Sequence, residues 1–316
     1  MSKKRTQTPE LEVHLLREGI VESIHKVHAL ICDHRGRILS FAGDSETGSF
    51  IRSSLKPFQA LPVVKTGALE HFKLTDKDLA IICSSHQGTI QQARQVFNIL
   101  WRANIEPSAL QCPIPPGKRS PLEYNCSGKH AGMLAVCQQS GWTLNNYMRH
   151  RSAIQELILS GVGELLQMPG AEFIAVQDDC GVPTYFMQLS QMATLYAHLS
   201  SGDDVYLERI SRAMTHYPEM VAGEGEFDTE LMRVSNGELV SKSGAEGVQC
   251  IGRIGEGMGL AIKALDGSKR AKYATAIDLL MQMGWITPTM SDSLAEKFMS
   301  LSEYKRLEVV GELGFV

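Results

Sequence analysis

Val27 to Cys32 and Ile38 to Ala42 are two runs of strand-forming residues joined by Asp33-His34-Arg35-Gly36, a turn signal, so the chain is expected to open with antiparallel strands. Ser53 to Thr66 is apolar at Leu55, Phe58, Leu61, Val63 and Val64 and closes on Gly67, which predicts a helix kinked at Pro62. Leu79 to Cys83 reads as a buried strand running into the turn Ser84-Ser85-His86-Gln87-Gly88. Beyond it Ile90, Ala93, Val96, Phe97, Leu100, Trp101 and Ile105 fall at helical spacing. Ile154, Leu157, Ile158, Val162, Leu165 and Leu166 do the same after a Ser152 cap with Gln155.

Phe173 to Val176 reads as a strand, Leu189 to Leu199 and Tyr206 to Met214 as helices, Gly247 to Gly252 and Met258 to Ala264 as strands, and Ala271 to Met283 as a helix stopped by Gly284. Strands at both ends thus enclose a helical middle, an α+β fold whose antiparallel sheet is built from N- and C-terminal strands. No repeat, low-complexity segment or linker interrupts the chain, so 1–316 is expected to be one domain, with residues 1–10 disordered.

Composition narrows the function. Lys+Arg number 31 against 35 Asp+Glu, a net charge of -4 with no basic run, which argues against nucleic acid or an anionic membrane as partner. The charged start Met-Ser-Lys-Lys-Arg is followed by a polar stretch, Thr6 to Glu12, so no export signal is expected, and no apolar stretch approaches a membrane span of about 20 residues. Seven cysteines, an odd number spread over the chain, argue against a disulfide framework and for a reducing, cytoplasmic setting.

A serine and a lysine three residues apart on a helix face each other, so the amine can take the hydroxyl proton. The spacing occurs at Ser23/Lys26, Ser53/Lys56 and Ser302/Lys305. Ser23 and Lys26 lie on an alternating strand, where positions three apart point to opposite faces. Ser302-Glu303-Tyr304-Lys305-Arg306 reads as a solvated helix face. Ser53-Ser54-Leu55-Lys56-Pro57 begins an apolar helix that would bury the lysine and lower its pKa, the plainer alternative being a serine N-cap beside a surface lysine. Serine acyl-transferases couple such a helix to a later Lys-Thr-Gly on a strand and an intermediate serine; Lys242-Ser243-Gly244 supplies the former. Lys65-Thr66-Gly67 is instead the last turn of the Ser53 helix. Ser85 suits the intermediate role, with a helix N-cap as its alternative. Cys126 and Cys180 sit in turns that would let them share a zinc ion; Lys129 is an unusual donor, and buried thiols beside a solvated lysine is the plainer account. Gly255-Glu256-Gly257-Met258-Gly259 lacks the spacing of a phosphate loop and reads as a turn.

Arg52-Ser53-Ser54-Leu55-Lys56-Pro57, Cys83-Ser84-Ser85-His86, Asn125-Cys126-Ser127-Gly128-Lys129-His130, Asp178-Asp179-Cys180-Gly181, His216 to Gly223 and Lys242 to Gly247 together resemble the rhizobial-type, class 3 L-asparaginases, over about Gly19 to Arg270. The resemblance implies a serine β-lactamase-like fold, a homodimer, hydrolysis of L-asparagine, and two Ser-Lys pairs, Ser53 with Lys56 and Ser85 with Lys242. It also implies Cys126, Lys129 and Cys180 as zinc ligands, and Arg52, His130 and Asp178 around the substrate, Asp178 at its ammonium group. Tyr124 is a bulky departure beside the cysteine motif, and the tail ends early at Val316. The same elements suit a glutaminase or other amidase, a β-lactam-recognising hydrolase, or a binding protein that kept the scaffold without the activity. One methylene separates the two amino-acid amides by only roughly 1–3 kcal/mol.

Overall fold

A computed structural model describes residues 8–316; of the stretch expected to be disordered, residues 1–7 lie outside the described residues, while Thr8 bridges Gly43. The strands are β1 (Leu11–Arg17), β2 (Ile20–Asp33), β3 (Ile38–Ala42), β4 (Gly48–Phe50), β5 (Ile174–Gln177), β6 (Pro183–Gln188), β7 (Leu239–Ser243), β8 (Val248–Arg253), β9 (Met258–Ala264), β10 (Ser300–Ser302), β11 (Lys305–Val310) and β12 (Gly314–Phe315). Among the described residues a nine-stranded antiparallel sheet runs β10-β11-β1-β2-β9-β8-β7, with β3 also on β2 and β12 on β3. N- and C-terminal strands therefore share one sheet, as expected, and β4-β6-β5 form a smaller antiparallel sheet. No helix of the described residues is long and apolar enough to cross a membrane.

Strand alternation divides the core in two. Leu30, Cys32, Val240, Val248, Cys250 and Ala261 pack toward the helical region, against Leu195, Tyr196 and Leu199 of the helix Leu189–Ser201 among others. Val27, Ala29, Ile31, Leu239, Ile251, Leu260 and Ile262 face the opposite way, against the helix Lys269–Gln282 and its neighbour Pro288–Phe298. Both faces are buried, so these strands are apolar on both sides.

Three glycine contacts set how closely the layers approach. Gly259 and Gly252 are cross-strand partners beneath the helix Leu189–Ser201; a Cβ on Gly259 would lie 2.0 Å from the Ala193 carbonyl oxygen, and one on Gly252 2.6 Å from that of Tyr196. Gly128, in the helix Ser127–Gln139, likewise lets that helix rest on Asp76–Ile82, where a Cβ would meet the Ile81 carbonyl oxygen at 2.0 Å. This crossing brings the C-terminal end of one helix, with Ser84 and Ser85 just beyond, against the start of the other, with Asn125 and Cys126 just before.

Four expectations are corrected. Leu79 to Cys83 is not a strand but the end of the helix Asp76–Ile82, which starts at a Thr75/Asp78 capping box. A five-residue apolar run has no period that separates strand from buried helix, and the cap decides it. Ser302 and Lys305 pair across the β10–β11 hairpin and lie on no helix. Ser152 precedes the helix Ala153–Leu166 without capping it; its hydroxyl donates to the Tyr147 carbonyl at 3.1 Å. The Ser53 helix also breaks earlier than expected, into Arg52–Leu55, Lys56–Gln59 and Leu61–Lys65, because Pro57 and Pro62 remove two amide donors.

Gly259→Ala is expected to destabilise the fold by roughly 1–3 kcal/mol or more, since a backbone carbonyl cannot yield to the new methyl. Gly161→Ala, in mid-helix with only Leu61 at 3.7 Å, should instead gain about 0.5–1 kcal/mol. Urea unfolding of both variants checks the contrast.

Candidate active site

Lys56 opens the short helix Lys56–Gln59 at the seam between the sheet and the helical region, and is 1 % exposed. Its Nζ donates to the Ser84 carbonyl, to Ser85 Oγ at 2.9 Å and to the Asn125 carbonyl at 3.5 Å. Lys242, on β7, is fully buried, and its Nζ lies 2.9 Å from Ser85 Oγ, 2.9 Å from the Ser243 carbonyl and 3.8 Å from Asp228 Oδ2. One hydroxyl therefore stands between two buried amines contributed by opposite sides of the molecule. Ser85 caps no helix, because Thr89 caps Ile90–Arg102, and Lys56 is no surface residue, so the plainer accounts of both fall.

Ser53 lies one turn before Lys56 and lines the same cavity of about 380 Å³ as Ser85, Asn125, Lys242 and Lys272, within the roughly 300–1,000 Å³ usual for ligand pockets. Its hydroxyl makes no hydrogen bond among the described residues, whereas the amine expected to face it is turned to Ser85. Ser53 does not cap either, the N-cap position being Ile51 without a side-chain bond.

The electrostatics follow from burial. Burial pushes the Lys56 amine below its ordinary value, with the Cys126 sulfur opposing and the Lys129 charge reinforcing. Burial brings Lys242 down to about 8, against the pull of Asp228 and with the help of Lys56 and Lys272. Asp228, which no sequence motif marks, is buried and fully engaged. It accepts from Ser241 Oγ at 2.7 Å, Gln249 Nε2 at 3.0 Å, Ser243 N–H at 2.8 Å and Ser243 Oγ at 3.2 Å. Burial raises its carboxyl, but Lys242 and these donors outweigh that and hold it below the usual range. A further unforeseen residue, Lys272, donates to the Gly244 carbonyl at 2.6 Å and the Val248 carbonyl at 3.0 Å, fixing the Lys242-Ser243-Gly244 turn. Burial brings it also down to about 8.

The six remaining expected residues gather in a second cluster. Lys129 Nζ lies 3.1 Å from Cys180 Sγ, and the neighbouring Cys180 thiol holds Cys126 well below the ordinary thiol value, against burial and with Lys56 and Lys129 assisting. Burial acts to lower Lys129, but the Cys180 and Cys126 sulfurs outweigh it and keep it above the ordinary lysine value. Two sulfurs and one nitrogen are donor types that could hold a zinc ion, provided the lysine gives up its proton on binding. No three His, Cys, Asp or Glu side chains converge as a metal site among the described residues.

Arg52, held at a left-handed φ of 52°, pairs its Nε with Asp178 Oδ1 at 2.7 Å and its Nη2 with Asp179, which anchors the turn that carries Cys180. His130 is buried, its Nδ1 2.7 Å from the Tyr147 hydroxyl, which itself accepts from Gln111 N–H at 3.0 Å. The other ring nitrogen, Nε2, is buried and has no partner among the described residues. Burial, helped by Lys129 and Lys56, keeps this imidazole neutral. Arg52, His130 and Asp178 stand around the cysteine cluster and do not line the serine cavity.

The described geometry can be set beside known proteins. No curated protein sequence matches this chain. Among solved structures, Mglu in its native form aligns at 13% identity and a TM-score of 0.38, over 82% of this chain and 61% of that one. The chain thus covers less than two thirds of that protein. A β-lactamase from Mycobacterium bovis aligns at 12% identity and a TM-score of 0.37, over 86% and 95% of the two chains, and a putative β-lactamase from Bacteroides dorei at 13% and 0.39, over 81% and 85%. A family model described as L-asparaginase II matches residues 13–315, which include every site residue above. The chain therefore belongs to the L-asparaginase II family.

Proposed function

We propose that the chain hydrolyses L-asparagine to L-aspartate and ammonia through an acyl-enzyme on Ser53, with Lys56, Ser85 and Lys242 as its proton-moving unit. The observation that carries this reading is the Ser85 hydroxyl, 2.9 Å from each of two buried lysine amines in a cavity that also presents the unengaged Ser53 hydroxyl.

Counting protons supports the roles. As a neutral amine, Lys56 has two N–H groups for the Ser84 and Asn125 carbonyls and a lone pair to accept a hydroxyl proton. As an ammonium, Lys242 has three, two of them for the Ser243 carbonyl and Ser85 Oγ, while Asp228 at 3.8 Å balances its charge without a hydrogen bond. Attack of Ser53 Oγ on the side-chain amide carbon transfers its proton to Lys56. That proton returns through Ser85 to the departing nitrogen, while the Lys242 ammonium stabilises negative charge on Ser85 Oγ. Ammonia leaves, an ester to Ser53 remains, and water cleaves it to aspartate by the same groups in reverse.

Cys126, Lys129 and Cys180 are proposed to hold zinc, which would supply a Lewis acid that orients the substrate. A homodimer is proposed as well, supported by exposed Ile174, Val176 and Phe186 on β5 and β6. All seven cysteines are buried and form no disulfide among the described residues, which accords with a reducing, cytoplasmic setting.

Purified enzyme should release ammonia from L-asparagine, and mass spectrometry of a quenched turnover should find the acyl group on Ser53. An adduct on Ser85 would exchange the two serines' roles. Lys56→Ala and Ser85→Ala should each lower kcat by roughly 10²–10⁴-fold. Because Lys242 must carry its proton and titrates at about 8, kcat/KM should fall above pH 8. Asp228 holds that pKa up, so Asp228→Asn should move the alkaline limb to lower pH; a limb that stays in place would remove Lys242 as the group responsible. Metal analysis should find one zinc per wild-type chain and none in Cys126→Ala or Cys180→Ala.

A further inference from the structure

An α-amino-acid amide brings an ammonium group into the cavity as well as the bond to be cleaved, and a buried or half-buried ammonium needs an anion beside it. Three carboxylates line the cavity: Glu226, Asp228 and Glu246. Asp228 is saturated by Ser241, Ser243, Gln249 and the Lys242 charge. Glu226 pairs with Lys269 Nζ at 3.1 Å and accepts from Gln87 Nε2 at 3.4 Å. The exposed Glu246 is different, for its carboxylate has neither hydrogen bond nor ion pair among the described residues. The cation that acts on it at range, Lys263, spends its Nζ on the backbone carbonyls of Glu246 at 2.7 Å and Ala264. Asp178, which the sequence resemblance placed at the ammonium group, is tied to Arg52 at 2.7 Å and lies outside this cavity.

The backbone points the same way. Glu246 sits at φ 53°, a left-handed conformation that glycine adopts freely and glutamate does not, immediately before Gly247 at φ 74°. A Cβ on Gly267 would fall 2.8 Å from Glu246 Oε2, so the carboxylate lies in space that Gly267 leaves open. The Glu246 carbonyl is held by Lys263, and Gly247 accepts from Ala264 N–H at 3.0 Å, which ties the segment to the end of β9. A charged side chain is thus carried on a strained, anchored turn at the cavity wall with nothing in the protein to satisfy it.

We propose that Glu246 receives the substrate's α-ammonium group and sets a preference for α-amino-acid amides over amides that lack the amine. The inference rests on the asparaginase reading of this cavity. Its test compares kcat/KM for L-asparagine and for succinamic acid, the same molecule without its α-amine, in wild type, Glu246→Gln and Glu246→Gly. Both variants should lose tenfold or more on L-asparagine, chiefly through KM, and little on succinamic acid, so the ratio falls by the same factor. Glu246→Gly relieves the left-handed strain, so its thermal midpoint should be no lower than wild type while the ratio still falls, a combination that misfolding does not produce. Wild type that releases ammonia from L-asparagine with an unchanged ratio in the variants overturns the role of Glu246 alone. Wild type that releases none overturns the asparaginase reading and this proposal with it.

Discussion

Two lysine amines buried on either side of one serine hydroxyl are the constraint around which this molecule is arranged. Lys56 and Lys242 each lie 2.9 Å from Ser85 Oγ and are almost wholly shielded from water. Two ammonium groups so placed would repel each other across a hydroxyl that then has no acceptor for its own proton. Burial already disfavours both charges. In the proposed mechanism the pair carries one charge, with the carbonyl oxygens of Ser84 and Asn125 around Lys56 and a carboxylate near Lys242. A pair of lysines in that state is an acid and a base joined by a hydroxyl.

Keeping the two amines there requires the whole fold. Lys242 arrives on a strand, Lys56 on a helix that begins in the seam, and Ser85 on the turn after a helix pressed against its neighbour at Gly128. The same crossing that exposes the Ser84 carbonyl to Lys56 brings Asn125 and Cys126 to it. The sulfur cluster is therefore an extension of the amine site: the Cys126 charge acts on Lys56, and the Lys129 charge acts on both. Arg52, adjacent to Ser53 in the chain, closes the loop by gripping the Asp178–Asp179 turn from a left-handed backbone.

Period and caps made most of the architecture legible. β2, β3, β8 and β9 and the helices that start at Ile90, Leu189 and Val205 fall where the apolar pattern puts them. Errors arose where the pattern carries no period, as in the run Leu79 to Cys83, or where charged residues hide a short hairpin, as at Ser302 to Lys305. In the site, residue identity was legible and pairing was not. Ser-x-x-Lys spacing brings Ser53 and Lys56 to one turn, but the amine's direction is decided by carbonyls from Ser84 and Asn125, remote in sequence. Asp228 belongs to no motif, because its partners are gathered by the pairing of β7 with β8: Ser241 and Ser243 on one strand, and Gln249 opposite Ser243 on the other.

That pairing also explains why the carboxylate stands off from the lysine it serves. Four donors occupy the Asp228 oxygens, leaving Lys242 Nζ at 3.8 Å, beyond hydrogen-bond length. Two unit charges about 4 Å apart still attract by roughly 4 kcal/mol at an effective dielectric of 20, enough to offset much of the cost of burying the ammonium. A direct, short ion pair would add a charge-assisted hydrogen bond and fasten the proton to the amine, lifting its pKa toward or past the ordinary lysine value. Without the carboxylate, burial and the neighbouring lysines would strip the proton away. The stand-off holds Lys242 between these extremes, at about 8, where an ammonium can both polarise a hydroxyl and yield its proton through it.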